Sequence, residues 1–284
     1  MKKQTNLGTL YASFKNELKL SGIESASIEA RILLAHSLNI SDAMIIGYPE
    51  TLVDSKYVDI VKSKIKRRKS GEPISYIVGS REFWSLDFKV TPDTLIPRQE
   101  SELLIDLALQ NISDRRLPLS ILDLGTGSGC LLLSLLSELP FATGIGIDIS
   151  QPALDVAIDN AKILNLSSRV SFQNGNWFEG MEGKFDLILS NPPYIKISQI
   201  SDLEIQIKDF EPVLALNGGD DGLKHYRRIG QGCAKKLAPS GFLLLEIGAS
   251  QASDVSDILL KSGLSKVKIY TDFSNLDRCI LATV

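Results

Sequence analysis

The chain has 284 residues, of which 44% are hydrophobic and 23% charged, and its formal net charge is -3. This is the make-up of a globular protein of one large or two ordinary domains, and the near-neutral balance excludes a surface that traps nucleic acid all round. Three scattered cysteines (Cys130, Cys233, Cys279) and two histidines (His36, His225) show no ligand spacing, which argues against a zinc site and for a cytoplasmic, thiol-reduced protein.

The N-terminal "MKKQTNLGTLYASFKN" begins with positive charge but has no continuous apolar core, so it does not read as a secretory signal. No apolar stretch approaches the ~20 residues of a membrane span. Residues 1–80 read as a small helical domain. In "SIEARILLAHSLNI", Ser27 is a start signal and Ile28, Ile32, Leu33 and Leu34 fall at helical spacing. "YVDIVKSKIKRRKSGEP" is a second helix, ending in cations and stopped by Gly71 and Pro73. Its basic run at residues 62–69 reads first as a solvated helix end.

Residues 81–100 change texture. "REFWSLDFKVTPDTLIPRQ" is rich in aromatic and β-branched residues, "LDFKV" alternates, and "TPDT" is a turn signal, which together predict a β-hairpin linker.

Residues 101–284 alternate strand and helix. The strands are "LSILDL", "ATGIGIDI", "RVSFQ", "FDLILS" and "GFLLLEIG". The helices are "CLLLSLLSEL", "QPALDVAIDNAKIL" and "HYRRIGQGCAKKL", with Pro152 suited to a first turn. This predicts an α/β, Rossmann-like fold with a mostly parallel sheet covered on both faces. "KVKIYTD" and "RCILATV" lie too close for a helical crossover, so the last two strands are expected to pair antiparallel.

Two loops carry chemistry. "DLGTGSG" (Asp123 to Gly129) follows the first strand, and Gly125, Gly127 and Gly129 are more than a tight turn needs. The dinucleotide fingerprint G-x-G-x-x-G fails, because Cys130 stands at its third glycine. Asp123 would repel a pyrophosphate but favour a sulfonium or ammonium. Asp148 ends the second strand, where an acid accepts ribose hydroxyls. Together these favour S-adenosylmethionine (AdoMet) over NAD. In "QNGNWFEG", Trp177 or Phe178 is placed to cover an adenine face and Asn176 to bond its edge.

The fourth strand ends in Asn191-Pro192-Pro193-Tyr194. Neither proline has an N–H for a ladder, so the corner stops the strand. It also offers acceptors. A planar amide nitrogen is a poor nucleophile because its lone pair is delocalised. Accepting bonds from its hydrogens turns the lone pair toward a methyl donor. The Asn191 side-chain oxygen supplies one acceptor and the Pro192 carbonyl the other, held by the fixed proline geometry. Tyr194 can pack on the planar group. The nitrogen becomes strongly acidic once alkylated, so no dedicated base is required.

These residues resemble the N5-glutamine methyltransferases that modify peptide chain release factors (the HemK type). The resemblance covers nearly the whole chain. It runs through "GEPISYIVGSREFWSLDFKVTPDTLIPRQESELL", "ILDLGTGSG", "GIDIS", "SNPPYI", "EPVLALNGGDDGLKHYRRI", "LLLEIG" and "DRCILA" in that order. It implies AdoMet contacts at Gly125, Thr126, Gly127, Ser128, Gly129, Asp148, Trp177 and Asn191, and catalysis by Asn191, Pro192 and Tyr194. Asn191, Pro192, Pro193 and Tyr194 would bind the glutamine of the release factor's Gly-Gly-Gln loop. Residues 1–80 would recognise the release factor. The expected protein is a monomer that makes no sequence-specific contact with nucleic acid. Gln99, Ser101 and Asn176 depart from the family pattern, and "SNLDR" lacks a usual glycine. The rivals are an N6-adenine methyltransferase of nucleic acid, a glutamine methyltransferase of a ribosomal protein, and a catalytically dead AdoMet binder.

Overall fold

Amphipathic spacing makes helices of most of the chain before residue 80. In the computed structural model, which describes residues 5–284, these are α1 (Leu7–Leu20), α2 (Ala26–Leu38), α3 (Asp42–Gly47), α4 (Ser55–Lys69) and α5 (Ile74–Val78). Two short strands, β1 (Thr5–Asn6) and β2 (Leu52–Val53), pair beside them. Residues 1–4, the start of the predicted helical domain and of the segment read as no secretory signal, lie outside the described residues. Leu7, Phe14 and Leu18 of α1 share a core with Ala30, Leu33 and Leu34 of α2 and with Val61 and Ile65 of α4. Side-chain caps open two helices: Asn6 accepts from the Thr9 N–H and Asp54 from the Lys56 N–H.

Helix α2 corrects the expected start and phase. It begins at Ala26, so Ser27 lies within its first turn, with its hydroxyl 2.7 Å from the Tyr11 hydroxyl. Ser25 precedes it but donates to Glu29 Oε1 instead of capping the backbone. Ile28 is 54% exposed, while Glu29 is buried. The reason is a partner distant in sequence: Arg68 Nε donates to Glu29 Oε2 at 2.6 Å, so a paired carboxylate occupies an inward position.

The next elements are β3 (Ser80–Phe83) and β4 (Leu86–Lys89), an antiparallel hairpin. Its turn is Trp84-Ser85, both left-handed (φ +52° and +56°), which is the geometry that matches strand twist. The "TPDT" turn follows β4 as a separate bend closed by Thr94 N–H to the Thr91 carbonyl. Phe83 and Phe88 meet edge to face and enter the core of the sheet domain.

The remaining elements in chain order are α6 (Glu102–Asn111), β5 (Ser120–Leu124), α7 (Cys130–Glu138), β6 (Thr143–Asp148), α8 (Gln151–Ile163), β7 (Val170–Asn174) and β8 (Phe185–Ser190). Then come α9 (Ile205–Lys208), α10 (Lys224–Lys236), β9 (Leu237–Glu246), α11 (Ala252–Lys261), β10 (Ser265–Thr271) and β11 (Asp277–Thr283). Two compact units result: residues up to Gly79 with Ile205–Phe210, and Ser80–Glu204 with Glu211–Val284. The hairpin is part of the second unit, where the Asn160 side chain on α8 bonds both the N–H and the carbonyl of Lys89.

One seven-stranded sheet organises the second unit, in the order β10-β11-β9-β8-β5-β6-β7. Strands β5 to β9 run parallel; β11 is antiparallel to both β9 and β10, as expected for the closing pair. Apolar layers cover both faces, one around Ile121, Leu132 and Leu136, the other around Ile188, Tyr226 and Leu245. Strand β5 has β6 on one side and β8 on the other, so the chain reverses its direction of travel across the sheet at this point. The loops after β5, β6, β7 and β8 therefore open onto one edge, at the crevice where such sheets hold ligands.

Candidate active site

The loop after β5 is shaped by its glycines. Gly125, Gly127 and Gly129 have φ of +73°, +55° and +80°, a region costly for any residue with a Cβ. Its N–H groups are largely engaged inside the protein. Gly125 and Thr126 donate to the Ile147 carbonyl, Gly127 to Asp148 Oδ2 at 2.8 Å, and Gly129 to the Thr126 carbonyl. Asp148 Oδ1 accepts from the Ser150 N–H, so this carboxylate joins the ends of β5 and β6 and keeps a free lone pair on each oxygen.

Asp123 is fully buried near the end of β5. Thr126 Oγ1 donates to its Oδ2 at 2.6 Å, while Oδ1 has no partner among the described residues. Burial pushes its carboxyl up to about 7, the Thr126 hydroxyl opposing and the charge of Asp148 adding.

Beyond β7, Trp177 sits in a left-handed conformation (φ +59°), and its ring lies beside Gly125 and 5.2 Å from the His225 imidazole. His225 Nε2 donates to the Asn217 carbonyl, which leaves Nδ1 as an acceptor without a partner among the described residues. Burial lowers the pKa of this imidazole. Phe178, the other aromatic candidate, packs against Gly232 in the core. Asn176 donates to Glu179 Oε1.

The corner after β8 follows four buried residues, Leu187, Ile188, Leu189 and Ser190. Ser190 ties its start to β5 by donating to the Leu124 carbonyl. Asn191 Nδ2 donates to Ser101 Oγ at 3.1 Å. Tyr194 donates its hydroxyl to Glu246 Oε1 at 3.3 Å, and its carbonyl accepts from Gln251 Nε2. Burial raises the Tyr194 phenol, with the Glu246 charge adding. Gly218 and Gly222 lie so close behind Tyr194 that a Cβ on either would come within 2.7 Å of its backbone. That approach accounts for the glycines in "NGGDDG".

These loops enclose a cavity of 330 Å³. Gly125, Thr126, Gly127, Ser128, Asp148, Trp177 and Asn191 share its wall with Pro193 and Asn176. Gly129, Pro192 and Tyr194 are not among the residues that line the cavity. The segment after β4 closes another side through Thr94, Pro97 and Arg98, and Arg98 is pinned by the buried Glu211 at 2.5 Å. Sequence reasoning misses His225, Glu211 and Glu246. Glu246 leaves one signal, a charged residue at the end of the apolar run "LLLEIG".

Residues 9–79 match the PrmC N-terminal domain family and residues 118–219 a methyltransferase domain family. The chain is 41% identical over 279 residues to the release factor glutamine methyltransferase of Rhodospirillum rubrum, covering 97% of this chain and 84% of that one. It is 40% identical to the enzyme of the same name from Cereibacter sphaeroides, covering 93% and 94%. A methyltransferase structure from Pyrococcus furiosus shares the fold, at a TM-score of 0.53 and 19% identity, over 78% of this chain and 95% of that one. Matched along nearly its whole length at this identity, the chain belongs to the release factor glutamine methyltransferase family.

Proposed function

We propose that this protein methylates N5 of the glutamine in the Gly-Gly-Gln loop of peptide chain release factors, with AdoMet as donor. The observation that carries the reading is that Asn191 and the glycine loop share one cavity wall. The residues fit AdoMet. Most of the loop's N–H groups are already engaged, which disfavours a pyrophosphate, and the orphaned oxygen of Asp123, buried beyond the cavity lining, favours a cation over an anion in the cavity. Asp148 keeps lone pairs for ribose hydroxyls, and Trp177 offers a face to adenine. When bound, AdoMet supplies an electrophilic methyl group for direct SN2 transfer to the amide nitrogen.

The protein's own part is orientation. Asn191 Oδ1 accepts one amide hydrogen and the Pro192 carbonyl the other, fixing the plane of the glutamine amide. Pro193 walls the site, and Tyr194 anchors the corner through Glu246. The alkylated nitrogen is acidic enough to lose its proton to water. Residues 1–80 serve release-factor recognition and residues 101–284, with the hairpin of residues 81–100 packed into the same unit, carry the chemistry, in a cytoplasmic monomer.

Labelled AdoMet offered separately to release factor, a DNA duplex and ribosomal proteins tests the reading. Label is expected in the release factor; label in the DNA or a ribosomal protein instead overturns it. Asn191→Ala should lower kcat by about 10²-fold, the scale of losing one polar contact to the reacting group, while AdoMet still binds. Undiminished turnover would remove Asn191 from this role.

A further inference from the structure

We propose that Ser101 and Glu246 set the direction of the Asn191 amide, so that its oxygen and not its NH₂ faces the substrate. The proposal rests on the methyl-transfer reading, in which Asn191 must accept. An asparagine side chain has nearly the same shape when its oxygen and nitrogen are exchanged. Turned the wrong way, Asn191 would present donors to the donors of a substrate amide. Something must therefore choose between the two orientations.

The choice follows from counting hydrogens. Ser101 Oγ lies 2.5 Å from Glu246 Oε2 and 3.1 Å from Asn191 Nδ2. A serine hydroxyl has one hydrogen. An ionised Glu246 only accepts, so it takes that hydrogen. Ser101 is then left as an acceptor toward Asn191, which must turn its NH₂ to the serine and its oxygen away. Ser101 is 4% and Glu246 1% exposed, so water does not compete for these bonds. The second oxygen of Glu246 accepts from Tyr194, so a single carboxylate holds both ends of the Asn-Pro-Pro-Tyr corner. Burial raises the Glu246 carboxyl, while the Ser101 hydroxyl, Arg278 and the Tyr194 hydroxyl favour its ionised form.

Glu246→Gln reverses the logic. A glutamine can donate to Ser101 Oγ, which frees the serine hydrogen to point at Asn191 and lets the asparagine turn over. Ser101→Ala removes the relay, and Ser101→Thr keeps one hydroxyl hydrogen. Each variant of the full chain is assayed for AdoMet binding and for methyl transfer to release factor. E246Q is expected to lower kcat about 10-fold or more with AdoMet affinity little changed, and S101T to stay close to the parent. The double variant S101A/E246Q should be less impaired than E246Q alone, because no hydroxyl remains to pass on the reversed direction. A purely structural role would make the double variant at least as poor as the worse single one. Full kcat in E246Q, or a double variant no better than E246Q, overturns the proposal. Should E246Q fail to bind AdoMet, the serine pair decides: loss in S101A with retention in S101T supports the proposal, and equal kcat in the two overturns it. A parent protein that labels no release factor would instead overturn the methyl-transfer reading itself.

Discussion

Asp148 shows how much one side chain holds in place. Its two oxygens accept from Gly127 and Ser150, so it shapes the glycine loop and the start of α8 while facing the cavity. Asp148→Ala should therefore weaken AdoMet binding about 10-fold or more, the loss expected for a hydrogen bond to a charged group. Calorimetric titration measures this, and unchanged affinity would exclude Asp148 from the cofactor site. Asp148, Asn191 and the glycines are legible in the sequence because each lies in a short motif at the end of a strand. Ser101 and Glu246 are not, because they meet across 145 residues of chain. Ser101 in particular looks like a harmless departure from a pattern, and only its position beside Asn191 gives its hydroxyl a task.

At the scale of elements, the strands of the sheet are readable because buried parallel strands are continuous apolar runs. Helices α6 and α11 escape a reading of the sequence; neither has a side-chain cap, but α7 and α10 lack one too and are legible, so the missing cap alone does not hide them. In α6 the natural cap residue is Ser101, and its hydroxyl is taken up by Glu246. The hairpin turn is hidden by its composition. Trp84-Ser85 contains none of the glycine, asparagine or aspartate that usually marks such a turn, whereas "TPDT" does look like one. Anchors outside the turn fix the register: Trp84 donates its N–H to Glu102 and its indole N–H to Glu138. Ser85 carries the strain of a left-handed backbone at φ +56°. Ser85→Gly should thus stabilise the protein by about 0.5–1 kcal/mol in denaturant titration. A loss of stability would show that Ser85 contributes more than its conformation costs.

For the molecule as a whole, the buried acids govern how stability depends on pH. The buried Asp123, Glu211 and Glu246 and the half-buried Asp148 all belong to the second unit, and desolvation raises each of them. A carboxyl raised in the folded state keeps its proton over a window in which the unfolded chain has lost it, and Glu246 directs Asn191 at pH values above its own window, where it is ionised. The contribution of a raised carboxyl to stability is present below the ordinary carboxyl value and is lost as pH rises through the folded value. For Asp123 that window runs from 3.8 to about 7. Asp221, lowered to about 2 by Arg227, acts oppositely, but it is an exposed pair and screened. The protein should therefore resist denaturant better at about pH 5.5 than at about pH 8. Asp123→Asn removes the charge that burial penalises, so it should stabilise the protein more at the higher pH than at the lower. Equal gains at the two values would exclude Asp123 as the source. The same substitution should weaken AdoMet binding at the higher pH, because it removes the negative charge that favours a sulfonium. A variant that is more stable yet binds its donor less well would show why this fold keeps an acid where burial disfavours it: the loss of stability falls at the site where a bound cation offsets it.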